Sequence, residues 1–246
     1  QRQMCIRDRL KATVEESGAM SGSGLVMDCH TGEILAMAVA PDFDINLFDQ
    51  VPPEITRNQP VTDAYEPGSV LKILTAMASL QEQVVTPGTV INVPRALQIA
   101  DYEFTDDHPM PKSDLTFAEV IAHSSNIGTI KTAQALGKEA LSAYIAACGL
   151  GEITGVDFPG ENPGLVLGLD KWSLTSLPTI AIGQGISVST LQRGVLTAAA
   201  ANGGTKVRPH CLRREIGPAG GITVSATILC VQSPICPPRA RTPNWS

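Results

Sequence analysis

The chain has 246 residues, 43% hydrophobic and 17% charged, which is enough apolar content to bury a core and excludes a disordered or fibrous chain. Its formal net charge of −6 comes with no dense Lys/Arg run and no interleaving of aromatic and basic residues, which excludes the usual surface for nucleic acid. The longest apolar runs fall far short of the roughly 18 to 20 residues that cross a bilayer, and the first residues lack the pattern of a signal peptide.

Taken in chain order, residues 1–9 (QRQMCIRDR) resemble a translated library-adapter run, a non-native leader that is assigned no structure, and residues 10–20 read as a linker remnant. Residues 22–41 read as a strand hairpin, with a polar turn through Asp28-Cys29-His30-Thr31-Gly32 and a second, unbroken apolar run that suits a strand covered on both faces. A loop-like stretch from Asp42 to Asp63 follows, and Pro67-Gly68 opens a helix reaching about Gln83. The segment from Pro87 to about Ser113 is poorly periodic, and its acids from Asp101 to Asp107 are expected in a solvated loop. Helical periodicity returns at 115–123, 126–136, 138–148 and 189–202, with Gly137, Gly149 and Asn202-Gly203-Gly204 as stops. Strands followed by clustered helices predict an α+β fold. From 217 to 246 two cysteines, five prolines and no amphipathic pattern suggest an aberrant, disordered tail.

The cysteines and histidines are scattered, with no C-x-x-C, H-x-x-x-H or H-E-x-x-H pair, so no metal and no cofactor is expected. Gly183-Gln184-Gly185 lacks the final glycine of a nucleotide-binding G-x-G-x-x-G, since Val188 stands there, and reads as close backbone packing.

Ser69-Val70-Leu71-Lys72 is an S-x-x-K tetrad, a spacing that chance produces about once in a chain of this size. Its setting adds weight. Lys72 is the one charge among Val70, Leu71, Ile73, Leu74, Ala76, Met77, Ala78 and Leu80, so the helix is apolar nearly all round and Lys72 is expected to be buried. Burial lowers a lysine pKa and turns an inert cation into a proton acceptor. Residues three apart share a helical face, which lets Lys72 take the proton of Ser69 as its oxygen attacks a carbonyl. The alternative is an N-terminal serine with a lysine snorkelling from a partly exposed helix. Ser124-Ser125-Asn126, between two helical patterns, adds a second constellation: Ser124 to relay a proton and Asn126 to meet a substrate amide. Taken alone, it reads first as a helix cap, since Ser and Asn are common caps.

Several blocks then fall in order: Thr31-Gly32-Glu33-Ile34-Leu35-Ala36-Met37; Tyr65-Glu66-Pro67-Gly68-Ser69 with Lys72; His123-Ser124-Ser125-Asn126; Thr154-Gly155-Val156-Asp157-Phe158-Pro159-Gly160-Glu161; and Gly183-Gln184-Gly185-Ile186-Ser187-Val188 with Leu191-Gln192 and Ala201-Asn202-Gly203-Gly204. Through these blocks, residues 22 to about 212 resemble the transpeptidase domain of class B penicillin-binding proteins, of the cell-division or elongation type. The resemblance implies the penicillin-binding and serine beta-lactamase-like fold, an antiparallel sheet with a helical cluster, incomplete here and ending near residue 216. It implies a serine acyl-enzyme that cross-links peptidoglycan stem peptides, with catalytic Ser69, Lys72 and Ser124 and substrate-binding Asn126. The implied partners are peptidoglycan stem peptides, on a lipid-linked precursor or nascent glycan, beta-lactams as inhibitors, and cell-wall synthase or division proteins. The implied location is the extracytoplasmic face of the bacterial cytoplasmic membrane, with the anchor outside this fragment.

One departure stands against the matches. The family's third motif, K-T-G on an edge strand, is missing; Lys131-Thr132-Ala133 is a helical decoy and Thr205-Lys206 is no substitute. The resemblance therefore implies a chain truncated before K-T-G, inactive and poorly stable as it stands. The alternative readings are a beta-lactam sensor, a catalytically silent cell-division scaffold, or a serine beta-lactamase; covalent labelling without turnover would mark a sensor or silent scaffold.

Overall fold

The structure, a computed structural model, describes residues 2–212 together with the strand segments 214–216, 222–225 and 233–234. Among the described residues two compact units are interleaved along the chain: one holds those up to 64 with 152–164 and those from 188 onward, the other holds 65–151 and 165–187.

In the first unit the expected hairpin is present as antiparallel strands Gly22–Met27 and Ile34–Ala40, with Gly22 opposite Ala40 and Leu25 opposite Met37. Its turn is closed by Asp28, whose carboxylate accepts from the backbone N–H groups of Thr31 and His30 at 2.9 Å each; these bonds hold its pKa below the ordinary carboxylate value. Gly32 (φ +80°) completes the turn where no side chain fits, since a Cβ there would lie 2.2 Å from the Arg208 carbonyl oxygen. Alternation along the strands then separates two faces. Gly22, Gly24, Ala36, Ala38 and Ala40 share the face of small residues, where a Cβ on Gly22 would meet Val14 and Leu10. Leu25 and Met37 lie on the other, in a core with Val61, Val156, Leu191 and Phe158. The second strand is thus packed on both faces, as its unbroken apolar run predicts.

Val14 and Leu10 belong to a helix, Arg2–Ser17, which runs through both the leader that is assigned no structure (1–9) and the stretch read as a linker remnant (10–20). The difference has a local cause, because Arg, Met, Leu and Lys are good helix formers. The side-chain amide of Gln3 adds a tertiary tie: it accepts from the Met37 N–H at 2.9 Å and donates to the Met37 carbonyl.

Helix Thr190–Ala201 opens with a reciprocal capping box between Ser189 and Gln192. The buried Gln192 amide also donates to the carbonyls of Glu152 and Pro163 at 2.8 Å each, so one side chain ties three segments of this unit. Leu191 beside it is fully buried. Leu191→Ala is expected to cost about 2–5 kcal/mol, read as a lowered midpoint in urea denaturation.

The second unit is a helical cluster around Asn126–Leu136, which packs against Lys72–Gln81, Phe117–Ala122, Lys138–Cys148 and Ser176–Ala181. Ile127, Ile130 and Ala133 are its fully buried stripe. Helix Phe117–Ala122 starts at a Thr116–Glu119 capping box, and Glu119 is held at about 2, below the ordinary carboxylate range, by Lys112 and by the Thr116 N–H and hydroxyl. Gly149, in the left-handed conformation (φ +75°), ends helix Lys138–Cys148 where the sequence predicts a stop.

Between Pro87 and Ser113 the structure differs from the expected loop. Val90–Asn92 pairs with Asp114–Thr116, and Ala96–Ile99 forms a two-residue-turn hairpin with Tyr102–Thr105. Strands of three or four residues are too short to show a period, and the Ala100-Asp101 turn lacks the usual Asn-Gly or Asp-Gly signal although Ala100 takes φ +53°. Phe104 turns inward against Ile130 and Ile182 and anchors this hairpin. Within the expected tail, Ile222–Ser225 pairs with Arg214–Ile216 and Ser233–Pro234 with Thr205–Lys206; the rest of 217–246 lies outside the described residues. Antiparallel strand pairs together with clustered helices are the expected α+β content. Among the described residues no helix is long and apolar enough to cross a membrane.

Candidate active site

Pro67 (φ −66°) and Gly68 (φ +57°) bring the chain into a single 3-10 turn, Gly68–Leu71, and the α-helix Lys72–Gln81 continues from it. Ser69 is exposed in that turn. Lys72 begins the helix proper and is only 3% exposed, buried in the same helix as Leu74, Thr75 and Ala78. Burial pushes its pKa below the ordinary lysine value, while the charges of Asp107 and Asp106 push it partly back. A snorkelling lysine is therefore ruled out.

What faces the Lys72 ammonium is the Ser124–Asn126 turn. Nζ donates to the Ser124 carbonyl, to Ser124 Oγ at 3.0 Å and to Asn126 Oδ1 at 2.7 Å, which uses all three of its donors. Ser69 is not among these contacts. Ser124 holds φ +54°, a left-handed conformation uncommon for serine, so backbone strain is stored where helix Phe117–Ala122 gives way to Asn126–Leu136. The helix-cap reading is also present, on the middle residue: buried Ser125 is the N-cap, its Oγ accepting from Gly128 N–H at 2.9 Å. Capping by Ser125 leaves Ser124 and Asn126 to meet the lysine.

Two residues of this site were missed in the sequence. Asp106 accepts from Ser125 Oγ, at 3.1 Å to each carboxylate oxygen, and from Ile127 N–H at 3.0 Å. The Asn126 amide donates to the Thr105 carbonyl at 3.0 Å and to Asp107 Oδ1 at 3.4 Å, which orients its oxygen toward Lys72. The expected solvated loop is in part a support for the turn: Asp107 is exposed, but Asp106 is half-buried. The one available signal was Phe104, an apolar residue alternating with polar Glu103 and Thr105 just ahead of the acids. Asp106→Ala removes an acceptor from the helix start and is expected to cost about 1–2 kcal/mol, measured by thermal denaturation.

Gly183-Gln184-Gly185 is close backbone packing, as its sequence suggests. A Cβ on Gly183 would lie 1.9 Å from the Gly68 carbonyl oxygen. Lys131, the decoy, donates instead to the Asn92 carbonyl at 2.7 Å.

Residues 22–229 match the penicillin binding protein transpeptidase domain. The chain is 33% identical over 221 residues to penicillin-binding protein PbpB of Mycolicibacterium smegmatis, covering 89% of this chain and 34% of that one. It is 36% identical over 191 residues to the peptidoglycan D,D-transpeptidase FtsI of Escherichia coli, covering 77% and 32%. It superposes on penicillin binding protein 3 of Mycobacterium tuberculosis, crystallised with aztreonam, with a TM-score of 0.84 at 33% identity over 90% of this chain and 50% of the other. The chain spans about a third of the length of the curated relatives it matches.

Proposed function

The chain belongs to the penicillin-binding protein transpeptidase family, and from that premise we propose that it carries the acylation centre of a peptidoglycan D,D-transpeptidase, with Ser69 as nucleophile. The observation that carries the reading is the buried Lys72, three residues after exposed Ser69 and hydrogen-bonded to both Ser124 and Asn126.

In this reading the neutral amine of Lys72 accepts the Ser69 proton while Ser69 Oγ bonds to the penultimate D-alanine carbonyl carbon of a stem peptide. Free N–H groups in the first helical turn stabilise the developing oxyanion. As the tetrahedral species collapses, the C–N bond breaks and Ser124 passes a proton from Lys72 to the departing D-alanine amine. The amine of a neighbouring stem then attacks the ester, forms the new amide and returns the proton to Ser69. Asn126, held by Thr105 and Asp107, keeps Lys72 in place and lines the substrate side. Beta-lactams acylate the same serine. In the whole protein this chemistry belongs outside the cytoplasmic membrane, beside cell-wall synthase or division proteins.

The chain contains no K-T-G triplet. The resemblance assigns that strand a second oxyanion donor, and one missing donor costs about 100 to 1000-fold in rate. Labelling of this chain is therefore expected to be slow, and cross-linking by it undetectable. The test is prolonged incubation with fluorescent penicillin followed by peptide mass spectrometry. An adduct on the peptide carrying Ser69 is expected; an adduct elsewhere, or none, overturns the reading.

A further inference from the structure

The stretch running from Ala181, the last residue of helix Ser176–Ala181, through the turn Gly183-Gln184-Gly185 is attached at three points to the segment that carries Ser69. Ahead of the serine, the Glu66 carboxylate accepts from Gly185 N–H at 2.8 Å. Beside it, Gly68 N–H donates to the Gly183 carbonyl at 2.8 Å. Beyond it, the buried Thr75 hydroxyl donates to the Ala181 carbonyl at 3.0 Å. Gly183 (φ +87°) and Gly185 (φ +73°) both take conformations that suit glycine, and the Gly183 approach to Gly68 admits no side chain.

These contacts matter because Ser69 has no side-chain anchor comparable to that of Lys72. The lysine is fixed by three hydrogen bonds to Ser124 and Asn126. Exposed Ser69 is placed by the backbone of its 3-10 turn, and that backbone is placed by the glycine turn. Of the three attachments, the one made by Glu66 lies at the surface, joins a charged acceptor to a backbone donor, and is removable without opening the core. We propose that Glu66 is a positioning residue for acylation, holding the Gly183–Gly185 turn so that Ser69 keeps its place relative to Lys72. The inference rests on the function proposed above.

The experiment uses the full chain as wild type, Glu66→Ala and Glu66→Gln. The dependence of labelling on benzylpenicillin concentration separates the dissociation constant of the non-covalent complex from the first-order acylation constant. A misplaced nucleophile is expected to slow Glu66→Ala acylation about tenfold or more, with the dissociation constant unchanged within about twofold. Glu66→Gln, which keeps an acceptor oxygen, is expected to recover most of the rate, and the Gly185 amide is expected to exchange faster with solvent in Glu66→Ala only. Acylation of Glu66→Ala at the wild-type rate, a loss as deep in Glu66→Gln, or a rate loss matched by a fall in melting temperature would each overturn the positioning role. Failure of the wild type to label at Ser69 would instead overturn the function itself, and this inference with it.

Discussion

Ser69→Ala is expected to abolish covalent labelling by penicillin at every incubation time while leaving the melting temperature unchanged. The hydroxyl is exposed in its turn, so its removal opens no cavity and leaves no buried partner unpaired. A change of stability within about 0.5 kcal/mol is the ordinary result for such a position. The chemical consequence is far larger, since without Oγ no ester forms; removal of a serine nucleophile costs on the order of 10⁶ in rate. Even against the slow labelling expected of this chain, that loss is total by intact mass. Residual adduct in Ser69→Ala would place the nucleophile elsewhere.

Lys72→Met is expected to lower the acylation constant by roughly 10² to 10⁴, the range of a positioned general base. Its pH dependence carries the sharper test. Lys72 must be neutral to accept a proton, and burial lowers its pKa from the ordinary 10.5 while Asp107 and Asp106 oppose the shift. Acylation should therefore rise with pH through a value below 10.5, and the rising limb should vanish in Lys72→Met. Asp107→Asn removes a charge that favours the ammonium, so the limb should move to still lower pH. Stability provides an independent check of sign. Between the depressed folded value and 10.5 the unfolded chain binds the extra proton, so wild-type stability rises with pH across that window and Lys72→Met lacks this slope. A variant that labels at the wild-type rate, or a limb unmoved by Asp107→Asn, would remove Lys72 from the role of base.

Much of this site was legible before folding because its signals are local. The tetrad lies on a single helical face, the apolar run around Lys72 announces burial, and Ser124-Ser125-Asn126 sits between two helical patterns. The glycine turn was readable as packing for the same reason. Which serine of the pair caps the helix was not readable, because Ser124 and Ser125 are chemically identical and only the left-handed backbone at Ser124 separates them. The supports from Asp106, Asp107 and Glu66 were hidden too. A carboxylate in a polar stretch looks the same whether it faces water or a backbone N–H contributed by a distant segment.

By itself, then, the sequence determined the helix that follows Pro67 and those near 117–122, 126–136, 138–148 and 190–201 with their glycine stops, the hairpin, the burial of Lys72 and, through the order of its motifs, the family, whereas helices Arg2–Ser17 and Ser176–Ala181 went unread. Helical periodicity and capping act over a few residues and leave their mark in the string. Tertiary structure alone decided that the Lys72 ammonium meets Ser124 and Asn126, that acids from a short hairpin hold that turn, and that a glycine turn braces the segment of Ser69. Those are contacts between groups far apart in the chain, selected by packing and by the need to pair buried polar atoms, and no local pattern records them.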